Sequence, residues 1–107
     1  MRSPVKYRYK VWYMKPEHFH TYSGVTPELP DPNKLSETHV HLKTIECSGP
    51  NAAFSMMQGE NWSPNGEARE LIRAKGLSHT SMSVGDVLEE VSSGKKIACA
   101  FVGWKEL

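Results

Sequence analysis

From position 5 to position 13 the odd residues are Val5, Tyr7, Tyr9, Val11 and Tyr13, while the even ones are Lys6, Arg8, Lys10 and Trp12. Alternation of this kind puts every second side chain on one face, so it predicts a strand with a buried aromatic side and a basic outer side. Positions 38–46 alternate again, with Val40, Leu42 and Thr44 on one side and His39, His41 and Lys43 on the other. A second strand, paired with the first, is expected there. Between the two, residues 15–37 carry Pro16, Pro27, Pro30, Pro32 and Gly24. Each proline removes a backbone donor and disfavours helix in the residue before it, so the segment reads as a long loop with one helical turn at 16–19. Loops of this length inside compact domains are usually functional or mobile, which makes 15–37 a first place to look for a site.

Beyond the second strand the period changes. Pro50 suits the first position of a helix whose apolar face is Ala53, Phe54, Met56 and Met57, with Gly59 as its stop. A second helix is predicted to open at Ser63-Pro64, bury Ala68, Leu71 and Ile72, and end at Gly76, where a left-handed residue lets Leu77 fold back on Ile72. Thr80, Met82 and Val84 resume a period of two, Gly85 marks a bulge or bend, and Val87, Leu88 and Val91 continue. Residues 92–95 read as a hairpin turn, and the nearly continuous apolar run 97–104 as a strand covered on both faces. The order of elements predicts an α+β fold: a small, mostly antiparallel sheet of about four strands with two short helices packed on one face. The first strand, whose tyrosine-rich face is more than a domain of this size needs to bury, is expected to offer an edge to a second copy, giving a homodimer.

Composition narrows the class without naming an activity. At 107 residues one domain, 1–107, is expected, and 38% hydrophobic with 23% charged residues is ordinary globular composition. No apolar run approaches the roughly 18 residues of a spanning helix, and positions 1–15 lack the apolar stretch of a signal peptide, so no membrane partner and a cytoplasmic location in a bacterial host cell are expected. Two cysteines make no disulfide framework. The 13 basic and 12 acidic residues nearly cancel, yet Arg2, Lys6, Arg8, Lys10 and Lys15 all precede Glu17, the first acid. The balance conceals a basic beginning.

Four constellations carry candidate chemistry. His39 and His41, at i and i+2 on a strand, can reach one metal ion, but no neighbouring Asp or Cys completes a ligand set, and both also fit a plain solvent face with Lys43. Lys6, Arg8, Lys10, Trp12 and Lys43 form a candidate nucleic-acid face that grips phosphate while Trp12 stacks on a base; the alternative is a solvated edge. Ser78, His79, Ser81, Ser83 and Asp86 include the residue types of a hydrolytic triad, although alternating strand positions would point apart and the hydroxyls suit local backbone bonds. The polar turn around Trp62 and Asn65 is either an exposed anchor for a partner protein or a lock between two helices. Cys99 reads as a small core residue. No cofactor-binding motif is present: Gly24, Gly49, Gly59 and Gly66 are too scattered to form a phosphate nest.

The stretch Gly76-Leu77-Ser78-His79-Thr80-Ser81-Met82-Ser83-Val84-Gly85-Asp86-Val87, closed by Val102-Gly103-Trp104-Lys105-Glu106-Leu107, resembles the C-terminal signature of YodL-type domains. Those domains end in an H-S-M-S-V-[SG]-D-V run and a G-[FW]-K-x-[LI] close. The opening Tyr9-Lys10-Val11-Trp12-Tyr13-Met14-Lys15-Pro16-Glu17 is also similar to the first strand of small proteins carried by phages, plasmids and integrated elements. The chain departs from the relatives at 92–100, where they usually carry a longer acidic and aromatic strand. The resemblance implies an accessory protein of a mobile element and transfers no catalytic residue. Its expected role is non-enzymatic: binding a host or element-encoded protein, a host defence complex in the sharpest version, through Phe19, Tyr22, Trp62 and Asn65. Nucleic-acid binding through the basic face and a metal-dependent enzyme at His39 and His41 are the alternatives.

Overall fold

A computed structural model describes residues 6–18, 30–100 and 103–107. Five strands form one antiparallel sheet: β1 (Tyr7–Met14), β2 (His39–Cys47), β3 (Val87–Glu90), β4 (Lys96–Cys99) and β5 (Trp104–Glu106), in the spatial order β2-β1-β3-β4-β5. The helices are short: α1 (Leu35–Thr38), α2 (Pro50–Met56), α3 (Gly59–Trp62) and α4 (Arg69–Ala74), with 3-10 turns at Pro16–His18 and Pro32–Lys34. The α+β class and the antiparallel sheet are as the alternation implies. Among the described residues no helix is long and apolar enough to cross a membrane.

The first strand lies inside the sheet, between β2 and β3, and therefore has no free edge for a second copy. Its tyrosine side is consumed within the chain. Tyr9, Val11 and Tyr13 join Leu42, Ile45, Ala53, Met57, Ala68, Ile72, Leu77, Met82 and Leu88 in the main core, beneath the helices that follow β2. The opposite face is partly covered too. Trp12, Val87 and Ala98, cross-strand neighbours across β1, β3 and β4, pack with Leu35 of α1 and with Leu107. Short helices therefore touch both faces, where the sequence pattern placed two on one.

Three local departures have identifiable causes. Residues 77–86 are not a strand, because their backbone bonds to other elements: Met82 N donates to Met57 O at 3.1 Å, and the Thr80 carbonyl accepts from Tyr13 and Trp62 side chains. The apolar run 97–104 is not one strand but two, since the chain reverses with Gly103 at φ +69 and Ala100 N bonding to Gly103 O at 3.0 Å, which creates the fifth strand. The helix expected from Ser63 starts only at Arg69, after a turn through Asn65 and Gly66; Ser63 Oγ accepts from Ala68 N at 2.8 Å. Its end is as the pattern implies: Gly76 adopts φ +72, and Leu77 N donates to Ile72 O at 2.9 Å, with both side chains in the core.

Leu88 is fully buried on β3, facing Val11 across the ladder. Leu88→Ala is expected to cost about 2–5 kcal/mol in urea unfolding, while Val91→Ala, at an exposed position of the next turn, stays within about 0.5 kcal/mol.

Candidate functional site

The polar centre of the molecule is Asp86, which is 0% exposed. Just before it Gly85 turns the chain at φ +96, and the bend is tied to β4 by Gly85 N to Cys99 O and Cys99 N to Asp86 O, both 2.8 Å. The carboxylate is thereby aimed at the end of β1. One oxygen accepts from Met14 N at 2.8 Å; the other accepts from Ser83 N at 2.9 Å and from His79 Nε2 at 2.8 Å. The His79 ring stacks on Tyr13, with centroids 4.5 Å apart and planes at 14°. Tyr13 donates its hydroxyl proton to Thr80 O at 2.7 Å, with Met57 O at 3.2 Å. Burial, reinforced by the Asp86 charge, raises the phenol far above its ordinary pKa, so Tyr13 stays a neutral donor.

His39 closes the same region from β2. Its Nε2 lies 2.7 Å from Gly85 O, which can only accept, so Nε2 carries the proton and Nδ1 accepts from the Thr38 hydroxyl at 2.7 Å. Both ring nitrogens are thus engaged in the neutral form. His41 is placed differently: its ring leans on Trp12 at 5.4 Å and its Nε2 is 3.3 Å from Thr44 Oγ1. The two histidines share a face but no ligand set. Among the described residues no group of three His, Cys, Asp or Glu side chains is placed to hold a metal ion.

The basic row is divided by a bulge. Val11 pairs with Lys43 but Trp12 with His41, which leaves Leu42 without a partner opposite and sends Lys43 to the core side of the sheet. There the Lys43 ammonium sits 5.0 Å above the Trp62 ring. Lys43 therefore does not join Arg8 and Lys10, contrary to simple alternation. Arg8 faces Glu46 across the ladder at 3.7 Å, and Lys10 faces Glu89, which also meets Lys96 at 3.8 Å. Trp12 is half-buried and donates its Nε1–H to Glu89 at 3.1 Å, so its ring is occupied by the protein itself. Lys6 and Arg8, with Tyr7, Glu46, Val91 and Ser92, border an open hollow of ≈ 360 Å³.

Trp62 makes the contacts of a lock. It packs half-buried on the main core and donates to Thr80 O at 3.0 Å. Asn65 is exposed, and both its backbone and side-chain N–H groups bond to Glu67. Phe19 and Tyr22 lie outside the described residues, as does much of the loop 15–37 that holds them. The serines near Asp86 serve the backbone: Ser81 Oγ accepts from Gly59 N at 2.7 Å, at the start of α3, and Ser83 contributes its N–H to Asp86.

A surface that sequence reasoning passed over lies between α2 and the β4–β5 hairpin. Asn51, Phe54, Cys99, Ala100, Gly103 and Trp104 line a hollow of ≈ 220 Å³. Phe54 is 37% and the nearby Met56 42% exposed, and Trp104 donates its Nε1–H to Asn51 Oδ1 at 3.1 Å. Burial and the charge of Asp86 push the Cys99 thiol up to about 11, so it lines the hollow as a neutral apolar group. The signal was present in the sequence: residues 47–59 and 97–104 contain no charged side chain, and the fold brings these two stretches together. Comparison with family models, with curated proteins and with solved structures gives no match, so the reading of these surfaces rests on their geometry.

Two measurements test the polar centre. Asp86→Asn keeps the shape but replaces one acceptor oxygen by an amide NH2 group, itself a donor, that faces N–H donors, and a loss of about 2–4 kcal/mol in chemical unfolding is expected. Burial lowers the pKa of His39, so the unfolded chain takes up a proton at about 6.5 that the native state resists. Below that pH the unfolded state binds more protons, and stability rises with pH through this window and is lost as the pH falls. Unfolding free energies between pH 7.5 and 5 should show this slope, and His39→Gln should flatten it.

Proposed function

We propose that this chain is a small non-enzymatic interaction protein of a phage or other mobile element, of the YodL type, that acts by binding a host or element-encoded protein. Inhibition of a host defence complex is the sharpest form of the reading. The observation that supports it is the uncharged surface between α2 and the β4–β5 hairpin, where Phe54 and Trp104 line a hollow with Cys99 and Ala100. Aromatic side chains in a setting depleted of charge are the composition of interface centres. At ≈ 220 Å³ the hollow is below the roughly 300–1,000 Å³ of ordinary small-molecule pockets and suits one anchoring side chain of a partner.

The arrangement of the signature segment 76–87 is in keeping with such a role. Asp86, the carboxylate that a hydrolytic reading would need, spends its oxygens on Met14, Ser83 and His79 within the fold. A second reading, nucleic-acid binding by the outer face, has one observation in its favour. The strand register places Lys96 of β4 and Lys105 of β5 on the same face as Arg8 and Lys10.

The test is capture from host lysate by the full chain. A partner should be retained in stoichiometric amount by the wild type and lost with Phe54→Asp, with circular dichroism confirming that the variant keeps the native fold. Capture unaffected by Phe54→Asp would sink the reading. Retention of DNA or RNA that weakens steeply with salt and drops with Arg8→Glu and Lys10→Glu would favour the second.

A further inference from the structure

Between α3 and α4 the chain turns through Ser63-Pro64-Asn65-Gly66, and Gly66 N donates to Ser63 O at 3.1 Å. The turn needs glycine at its last position: Gly66 stands at φ +84, and a Cβ there would meet the Arg69 guanidinium at 3.1 Å. The fold thus sets, directly after an exposed asparagine, the residue whose backbone nitrogen is least shielded by a side chain. Of the four asparagines, Asn33, Asn51, Asn61 and Asn65, only Asn65 precedes glycine.

We infer that Asn65 is a site of spontaneous deamidation and that Glu67 is the latch that sets its rate. In this reaction the Gly66 nitrogen gives up its proton and bonds to Asn65 Cγ. The Cγ–Nδ2 bond breaks, the departing nitrogen takes up a proton and leaves as ammonia, and a succinimide ring remains. Water then opens the ring at either carbonyl, giving aspartate or isoaspartate. One water enters, one ammonia leaves, and nothing is oxidised or reduced.

Three hydrogen bonds oppose the first step. The Gly66 N–H is engaged by Ser63 O, and Glu67 holds Asn65 at two points: Oε2 accepts from Asn65 N at 2.9 Å and Oε1 from Asn65 Nδ2 at 3.1 Å. Cγ must close on the Gly66 nitrogen with its amide free to depart, so the latch has to open first. The N–H groups of Glu67 itself and of Asn65 hold the Glu67 carboxyl below its ordinary pKa, which keeps the latch anionic at neutral pH. After the reaction a carboxylate faces Glu67 where an NH2 group had donated, and the two repel. That repulsion loosens the turn whose Ser63 Oγ accepts from Ala68 N at 2.8 Å. The site is a slow, irreversible timer on an exposed turn, independent of the groove between α2 and β4–β5.

The full chain is kept folded at neutral pH, and peptide mass mapping over time reads the fraction converted at each asparagine. Conversion in the wild type is expected to concentrate at Asn65. Glu67→Ala is expected to raise the rate there at least about threefold, as the loss of two hydrogen bonds requires, and to leave Asn33, Asn51 and Asn61 unchanged. Glu67→Gln, which keeps one acceptor oxygen, falls between, with circular dichroism confirming the native fold of each variant. In concentrated urea, where the latch cannot form, wild type and Glu67→Ala react at one rate, faster than the folded wild type. Conversion spread evenly over the four asparagines overturns the inference. So does a Glu67→Ala rate at Asn65 that is unchanged, or slower, the mark of a carboxylate that assists the attack. Acceleration at all four sites, or a difference that persists in urea, overturns the latch as well.

Discussion

The carboxylate of Asp86 is a polar group removed from water, and it is tolerable there only because three N–H donors converge on it, two from its own segment and one from β1. Met14 N belongs to the end of β1, Ser83 N to the segment before the bend, and His79 to the stretch beyond α4. Satisfying one side chain therefore fixes where β1 ends relative to β3 and β4. The stacking of His79 on Tyr13, and the Tyr13 hydroxyl on Thr80 O, carry the same constraint into the main core. His39, bonded to Gly85 O, adds the start of β2. A sheet in which both neighbours of β1, β2 and β3, are reached only through long connections acquires its register from these polar contacts as well as from the hydrophobic faces.

The same constraint ties the segment 76–87 into the fold. Its residues bond to β1, to α2 and α3 and to β4, which is structural work. Surface chemistry lies elsewhere, and the two notable surfaces differ in kind. β2 bears the single cation of Lys43 over Trp62 and a bulge at Leu42. The groove beside α2 bears aromatic and apolar side chains without charge.

Legibility in the sequence followed the reach of the forces involved. Period-two alternation showed β1 with its buried side and the existence of β2, because a strand buried on one face obeys a local rule, but in β2 the bulge at Leu42 reverses the sides, so that Thr44 is exposed and Ile45 buried. The glycine that ends α4 was legible for the same reason, since a left-handed residue is a backbone requirement at one position. The alternation at Thr80, Met82 and Val84 misled, because that segment forms its hydrogen bonds with the α2 and α3 helices and with Tyr13 instead of a neighbouring strand. The run 97–104 misled in the opposite sense: continuous hydrophobicity carries no mark of where a chain reverses, and Gly103 was read as a small packing residue instead of a turn.

Of the candidate residues, His39 and His41 were correctly assigned to one face, yet their roles diverged once α1 and the Gly85 bend enclosed only the first. The placement of Lys43 turned on a single unpaired residue, Leu42, which exists only in the alignment of β2 against β1. By itself the sequence determined the α+β class, the aromatic core side of β1 and the uncharged character of 47–59 and 97–104, since these depend on composition and on periods of a few residues. Only the tertiary structure decided that β1 is interior, that Asp86 is spent on the fold, that Lys43 faces Trp62 and that the two uncharged stretches meet. Each of those facts joins residues far apart in the chain, and no local period encodes such a distance.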